Sequence, residues 1–367
     1  MPMSKLLIIL CSLWLISTGF LHASVPFRQV TTHPDQDLTP RLSPNGKWLA
    51  YTSKKTGNND IWIRNMHTGM SYQVTSHKAD DYQPAWDPKN EYIVFVSQRS
   101  DAKGDLYRLV LNEKDDFIYA SRDPEQLTVY KGLDAYPSIS ARRQIVWVSD
   151  RSGLDNIWLQ NRGPHKLIRQ ITFNGATHPC WSPKHEYLVF TSFRSPDDNH
   201  GDIWFMNVEE ARRTIERVNF AFTFEPPVYQ VTRGSAMDGF PMFSPDEREI
   251  VFVRRQQDTN GDQQISLADQ AILTVQDIRP VVARSLGSDS LDINITPQPV
   301  TFPQFNALQP EWGRNRNLYF SSRVKGNFDV WSRPDSNAAI AQRQHGRRQP
   351  GDCIRLSRYG AARRCRR

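Results

Sequence analysis

The sequence has 367 residues, 38% of them apolar and 23% charged, with a mean hydropathy of −0.59. That excludes a polytopic membrane protein and a disordered chain alike, and allows a large core in one or two domains. The formal charge is +7, but residues 335–367 hold nine arginines against two acids, which is the whole of the excess. The first 334 residues are neutral, so nothing in them steers the protein toward nucleic acid.

Residues 1–23 have the form of a secretory signal. Lys5 supplies the positive end, Leu6 to Phe20 is an almost unbroken apolar stretch of fifteen, and Leu21-His22-Ala23 offers a cleavage site before Ser24. Fifteen residues are short for a bilayer span. The expectation is a periplasmic or secreted protein that meets a membrane only if the signal stays uncleaved. Cys11 lacks the small preceding residue that a lipoprotein signal needs. In an oxidising compartment Cys353 and Cys365 could pair, leaving Cys180 as a buried thiol.

From residue 27 onward three landmarks recur in fixed order. The first is Gln-apolar-Thr, found at Gln29-Val30-Thr31, Gln73-Val74-Thr75, Gln126-Leu127-Thr128, Gln170-Ile171-Thr172 and Gln230-Val231-Thr232, and with Pro for Gln at Pro299-Val300-Thr301. The second is a Pro followed two residues on by an aromatic or aliphatic side chain and usually a Ser-Pro turn, starting at Pro40, Pro84, Pro137, Pro179, Pro241 and Pro310. The third is an apolar strand usually ending in Ser, then a hairpin, then Asp or Asn before an apolar-aromatic pair, as in Ile93-Val94-Phe95-Val96-Ser97 with Asp105-Leu106-Tyr107. All nine tryptophans outside the signal fall on or beside these landmarks.

Each unit thus carries four short β segments, and units follow at 42 to 69 residues, which is the signature of propeller blades. The chain opens with an outer-strand motif and its last unit stops after Asp329-Val330-Trp331. The expected fold is therefore an all-β, six-bladed propeller of four-stranded antiparallel blades over residues 24–334, closed by the N-terminal strand, with a basic, disordered tail over 335–367.

The unit resembles the TolB-type propeller repeat, best at Ser43-Pro44-Asn45-Gly46-Lys47-Trp48 and from Ser182-Pro183 to Asp202-Ile203-Trp204. The resemblance covers about 300 residues and implies the propeller fold. Such propellers occur in periplasmic TolB, in peptidases of the prolyl oligopeptidase class and in oligogalacturonate lyases. Compared with TolB the small α/β domain ahead of the propeller is expected to be missing, because the repeats begin within five residues of the expected cleavage site.

Residues just before each landmark Pro should rim the central channel. One before it stand Thr39, Gln83, Tyr136, His178, Phe240 and Gln309; three before it stand Asp37, Asp81, Asp134 and Asp238, with Tyr82 between. These form either an acidic, aromatic-lined mouth for a peptide, amine or cation, or a set of turn caps and packing rings. The first reading makes the protein a monomeric, non-enzymatic scaffold for a protein or peptide of the cell envelope. The alternative is a metal-assisted glycan lyase or hydrolase, but a lyase of the oligogalacturonate type is expected to hold its metal with several channel histidines, and this ring offers only His178. A peptidase would need a Gly-x-Ser-x-Gly elbow, which is absent.

Residues 258–269, in the hairpin of the fifth blade, follow a calcium-loop pattern, with Asp258, Asn260, Asp262 and Asp269 at positions 1, 3, 5 and 12 and Gln264 offering its carbonyl at 7. Gln263 replaces the usual Gly at position 6 and Asp269 is shorter than the usual Glu, or is the Asp that opens a third strand. A calcium ion there would be structural. Insertions at 111–124 and 208–228 lengthen outer connections, and residues 209–217 are expected as a solvated loop rather than helical turns.

Overall fold

The computed structural model describes residues 27–161, 167–194, 200–217, 227–288, 295–324 and 326–334, with the backbone alone at 212 and 214–217. The expected signal and the tail with Cys353 and Cys365 lie outside the described residues.

Six antiparallel sheets follow one another along the chain. Blade 1 consists of Asp37–Leu42, Trp48–Ser53, Asp60–Asn65 and Ser71–Gln73, and blades 2 to 5 begin at Asp81–Trp86, Asp134–Ile139, Thr177–Trp181 and Met237–Phe243. The first strands of neighbouring blades pack on one another around the axis. Blade 6 takes Leu308–Trp312, Asn317–Ser322 and Asp329–Pro334 from the end of the chain and its outermost strand, Arg28–Gln29, from the start. Arg28 pairs with Ser332 and Gln29 with Trp331. This is the displaced strand that the order of the repeats requires.

The second strand of each blade carries consecutive apolar residues through its middle because both of its faces are covered. In blade 1, Trp48 and Ala50 join Ile61 and Ile63 against Trp86, Ile93 and Phe95 of blade 2. Leu49 and Tyr51, alternating with them, face Tyr319 and Val330 of blade 6. The same division gives six apolar clusters, one at each interface between blades. The period of two is kept, but neither phase of it meets water.

The Gln-apolar-Thr landmark has a polar task. In all six blades the Thr hydroxyl accepts the N–H of the residue that follows the opening position of the third strand, from Ile61 to Val330, at 2.7 to 2.9 Å. In blades 1, 2 and 4 the same hydroxyl donates to the buried Asp60, Asp105 or Asp202 at 3.2 to 3.3 Å. The other carboxylate oxygen accepts from Gln73, Gln126 or Gln230, and Gln29 serves Asp329 in the same way. Blade 5 lacks both members together, since Ile272 stands where the others have Asp or Asn and Pro299 where they have Gln. The double change leaves neither an unpaired clamp carboxylate nor an unpaired Gln, but Thr274, opposite Pro299, keeps a buried hydroxyl with no hydrogen-bond partner. Asp269 is therefore not the strand-opening Asp of this blade.

Residues 208–217 form an α-helix, α1 (Val208–Arg217), in place of the expected loop. The Asn207 side chain caps it by accepting the Glu210 N–H at 3.2 Å, Glu209 pairs with Arg213 one turn on, and Val208 and Ala211 are buried against the blade 3–4 core. In the other insertion the third strand of blade 2 runs on to Lys114 and pairs with Phe117–Ala120. A second helix, α2 (Arg279–Ser285), packs Val281 between blades 4 and 5. Among the described residues no helix is long and apolar enough to cross a membrane.

The clamp is open to test by denaturant unfolding. Thr232→Val removes both a buried acceptor and a buried donor and should cost about 2 kcal/mol, whereas Thr301→Val removes an acceptor alone and should cost about 1 kcal/mol. Equal costs would show that the Asp–Thr bond contributes nothing.

Candidate functional site

In every blade the first strand carries one extra residue relative to the second. Leu38 pairs with Thr52 and Arg41 with Ala50 in blade 1, and the same slip recurs in blades 2 to 6 at the landmark Pro. Proline suits a bulge because it has no N–H to withhold from the ladder. The residue before it takes a left-handed backbone in all six blades, with φ between 50° and 54° at Thr39, Gln83, Tyr136, His178, Phe240 and Gln309. None is glycine, although glycine would adopt this conformation without strain. Six strained side chains in one ring mark the channel as the place to look for function.

These six residues, with five of the landmark prolines, Arg41 and Met242, enclose a constriction of about 30 Å³, room for a water or so. One side of the ring is polar. Gln309 Oε1 accepts the Thr39 N–H at 2.9 Å, Thr52 Oγ1 accepts the Gln83 N–H at 3.2 Å, and Gln83 Oε1 accepts the Tyr136 N–H at 2.8 Å. Side chains of one blade thus satisfy N–H groups that the bulge of the next has freed from its ladder. The other side is aromatic, with His178 at 3.6 Å from Phe240 and 4.4 Å from Tyr136, ring centre to ring centre. Burial, reinforced by the charge of Arg41, holds the His178 pKa down at about 3. Its imidazole is neutral at physiological pH.

A second ring lies one residue beyond each Pro, at Arg41, Ala85, Ser138, Cys180, Met242 and Glu311. Together with Trp86, Trp181, Trp312 and the prolines of the Ser-Pro turns it lines a funnel of about 760 Å³, within the range of ligand-binding clefts. The funnel opens on the Ser-Pro face, opposite the acidic rim. Sequence reasoning stopped at the residues before Pro, although the second ring was readable at the same period. Cys180 is a buried free thiol, its pKa pushed up to about 12 by burial. Glu311 is the other displaced acid, raised to about 7 by burial against the opposing charge of Arg41.

The four rim carboxylates are buried, at 0 to 1% exposure. Asp81, Asp134 and Asp238 pair with Arg99, Arg151 and Arg254 at 2.7 to 2.8 Å. The guanidinium groups lie over aromatic rings of the same blades, Arg99 over Tyr107 and Arg151 over Trp147 and Trp158. At the position equivalent to these arginines blade 1 has Lys55, and burial raises the Asp37 pKa despite hydrogen bonds from Ser53 and Thr31. Tyr82 packs into the blade 2–3 core rather than the ring. The rim acids therefore act within the blades, through arginines that recur after the second strand in Ser97-Gln98-Arg99 and Ser149-Asp150-Arg151.

The carboxylates of the calcium-pattern loop take part in hydrogen bonds within the loop. Among the described residues no three carboxylate, imidazole or thiol groups converge to hold a metal ion. Asp258 accepts the N–H groups of Gly261 and Gln263, and Asp262 that of Gln264. Asp269 accepts from Thr259, Asn260 and Ser266, which lowers its pKa, while Asn260 donates to Asp262. These carboxylates thereby order the loop's own backbone. Gln263 nevertheless makes the sharp turn, at φ 66°.

A family model described as the TolB beta propeller domain matches residues 28–220, more than half of the chain. The chain belongs to that family. TolB from Acinetobacter baumannii is similar at 16% identity with a TM-score of 0.51, over 82% of this chain and 63% of that one, so this chain spans less than two thirds of that protein. A putative TolB from Agrobacterium tumefaciens gives 16% identity and 0.54 over 84% and 96%. An oligogalacturonate lyase in complex with manganese gives 11% and 0.50 over 85% and 94%. At such identities these likenesses concern the fold alone. No curated protein matches the sequence.

Two measurements test the electrostatics of this TolB-type propeller. Arg151→Met should cost about 3 kcal/mol by leaving Asp134 buried and uncompensated, and adding Asp134→Asn should recover most of it; a fully additive double mutant would refute the coupling. Glu311 holds its proton in the folded state up to about pH 7, whereas unfolded glutamate releases it near 4.5. Its stabilising contribution is complete below 4.5 and is lost as the pH climbs to 7. Glu311→Gln should therefore gain on wild type by up to about 3 kcal/mol between pH 4.5 and 8, and a pH-independent difference would show an ordinary carboxyl.

Proposed function

We propose that this protein is an exported, non-enzymatic binding propeller that takes a peptide or protein segment of the cell envelope into its funnel. The observation that carries the reading is the open funnel of about 760 Å³ closed at its base by the bulged ring. Tryptophans and prolines on its wall suit an extended chain, because they offer flat apolar surface with little side-chain entropy to lose. The signal-like segment at residues 1–23 supports export. The docking face proposed is the Ser-Pro side, with Gln83, Tyr136, His178, Phe240 and Gln309 as its floor and the acidic rim as support beneath them.

The glycan lyase reading is the less favoured one. A metal-assisted reaction draws on several convergent donors, and the channel offers His178 packed between two aromatic rings. A proton-transfer role suits this imidazole poorly, since its pKa near 3 is far from neutral pH.

Capture from a cell-envelope extract tests the proposal. The wild-type chain should retain a stoichiometric protein partner, and Met242→Arg, which fills the funnel, should weaken retention about tenfold or more. Retention unchanged by Met242→Arg, or acidic glycan enriched or shortened in place of protein, would overturn the reading.

A further inference from the structure

The base of the funnel carries a charge pair that does not close. Arg41 Nη1 lies 3.8 Å from Glu311 Oε2, too far for a hydrogen bond, whereas the arginine–aspartate pairs of blades 2, 3 and 5 close at 2.7 to 2.8 Å. The Glu311 side chain is 10% exposed. Its Oε1 accepts the Leu42 N–H at a long 3.3 Å, and its Oε2 is buried with no hydrogen-bond partner. Arg41 is 26% exposed, donates through Nη1 to the Pro40 carbonyl at 2.9 Å, and lines both the funnel and the constriction. A buried acceptor without a donor is costly, and the residue that carries it lines the funnel.

The chemistry of that donor is narrowed by the pair itself. Above about pH 7, where Glu311 is ionised, an ammonium group that reached it would meet the guanidinium of Arg41, and a carboxylate that reached Arg41 would meet the Glu311 carboxylate. A neutral amide fits both, since one planar group presents an acceptor oxygen and a donor NH₂ side by side. The constriction of about 30 Å³ beyond the pair stops a chain from passing, so only a side-chain tip reaches this depth. We infer that Arg41 and Glu311 form a carboxamide subsite, in which the oxygen of an Asn or Gln side chain on the inserted peptide accepts from Arg41 and its NH₂ donates to Glu311 Oε2. This rests on the funnel being the peptide site.

Acetamide, acetate and methylammonium serve as probes on the full chain, followed by NMR of the Arg41 guanidinium and the indoles of Trp86, Trp181 and Trp312. Acetamide should shift these resonances saturably and bind about tenfold or more tightly than either ion. Glu311→Gln, which supplies a carboxamide of its own to Arg41 at nearly the same volume, should keep the fold and weaken acetamide about tenfold; Arg41→Met should do the same. Absence of saturation, equal binding of acetate or methylammonium, unchanged binding in both variants, or a bridging water that acetamide does not displace would overturn the subsite. The two proposals fail separately. An envelope partner lost with Met242→Arg but indifferent to Glu311→Gln, with no acetamide binding, sinks the subsite alone. Acetamide binding without any retained partner sinks the peptide reading alone.

Discussion

A sheet with two apolar faces cannot stand in water until both are covered, and every blade of this protein has two. Trp48 and Leu49 are adjacent in sequence and buried on opposite sides, one toward blade 2 and the other toward blade 6. A row of such sheets would always leave a face exposed at each end. Closing the row into a ring removes both ends, and the pairing of Arg28–Gln29 with the last strand ties that closure with backbone hydrogen bonds. The apolar clusters at the six interfaces, the packing of the first strands around an axis and the existence of a channel all follow from it.

The bulge gives the channel its chemistry. An unbroken first strand would keep its ladder and confine its central residues to ordinary extended geometry. The extra residue before each Pro instead places a polar or aromatic side chain at the axis, and in blades 1 to 3 it releases an N–H that a neighbouring blade accepts, as Gln83 does for Tyr136. The same inner edge therefore narrows the channel to a ring and opens a funnel beyond it. Charges near the axis divide accordingly. At the start of the first strand Asp81, Asp134 and Asp238 are closed onto arginine within the blade, Asp37 is buried without one, and Glu311, one residue past the bulge, lines the funnel.

Blade 5 shows how far the repeat can drift while the ring persists. It has lost Asp and Gln from its clamp at the same time, replaced by Ile272 and Pro299, while Thr301 still accepts the Leu273 N–H. The clamp is thus two separable parts, a backbone acceptor kept in every blade and a buried carboxylate that is kept only where a Gln side chain or its equivalent is present. The insertion at 258–269 sits on this altered blade and organises itself with its own carboxylates.

The sequence by itself determined the number of blades, their order and the manner of closure, because the landmarks are local in sequence and repeat at one period. It also placed Thr39, Gln83, Tyr136, His178, Phe240 and Gln309 in one ring, since a residue beside a periodic Pro inherits that period. What the tertiary structure decided was the partner of each group. Asp134 and Arg151 are separated by a strand and a turn, and whether they meet depends on how the first strand lies against the second. Arg41 and Glu311 stand at opposite ends of the chain and become neighbours only when the ring is closed. Period and composition report which residues share a position in the repeat; whether an acid there is neutralised, buried alone or open to a ligand is set by contacts between blades that no single repeat contains.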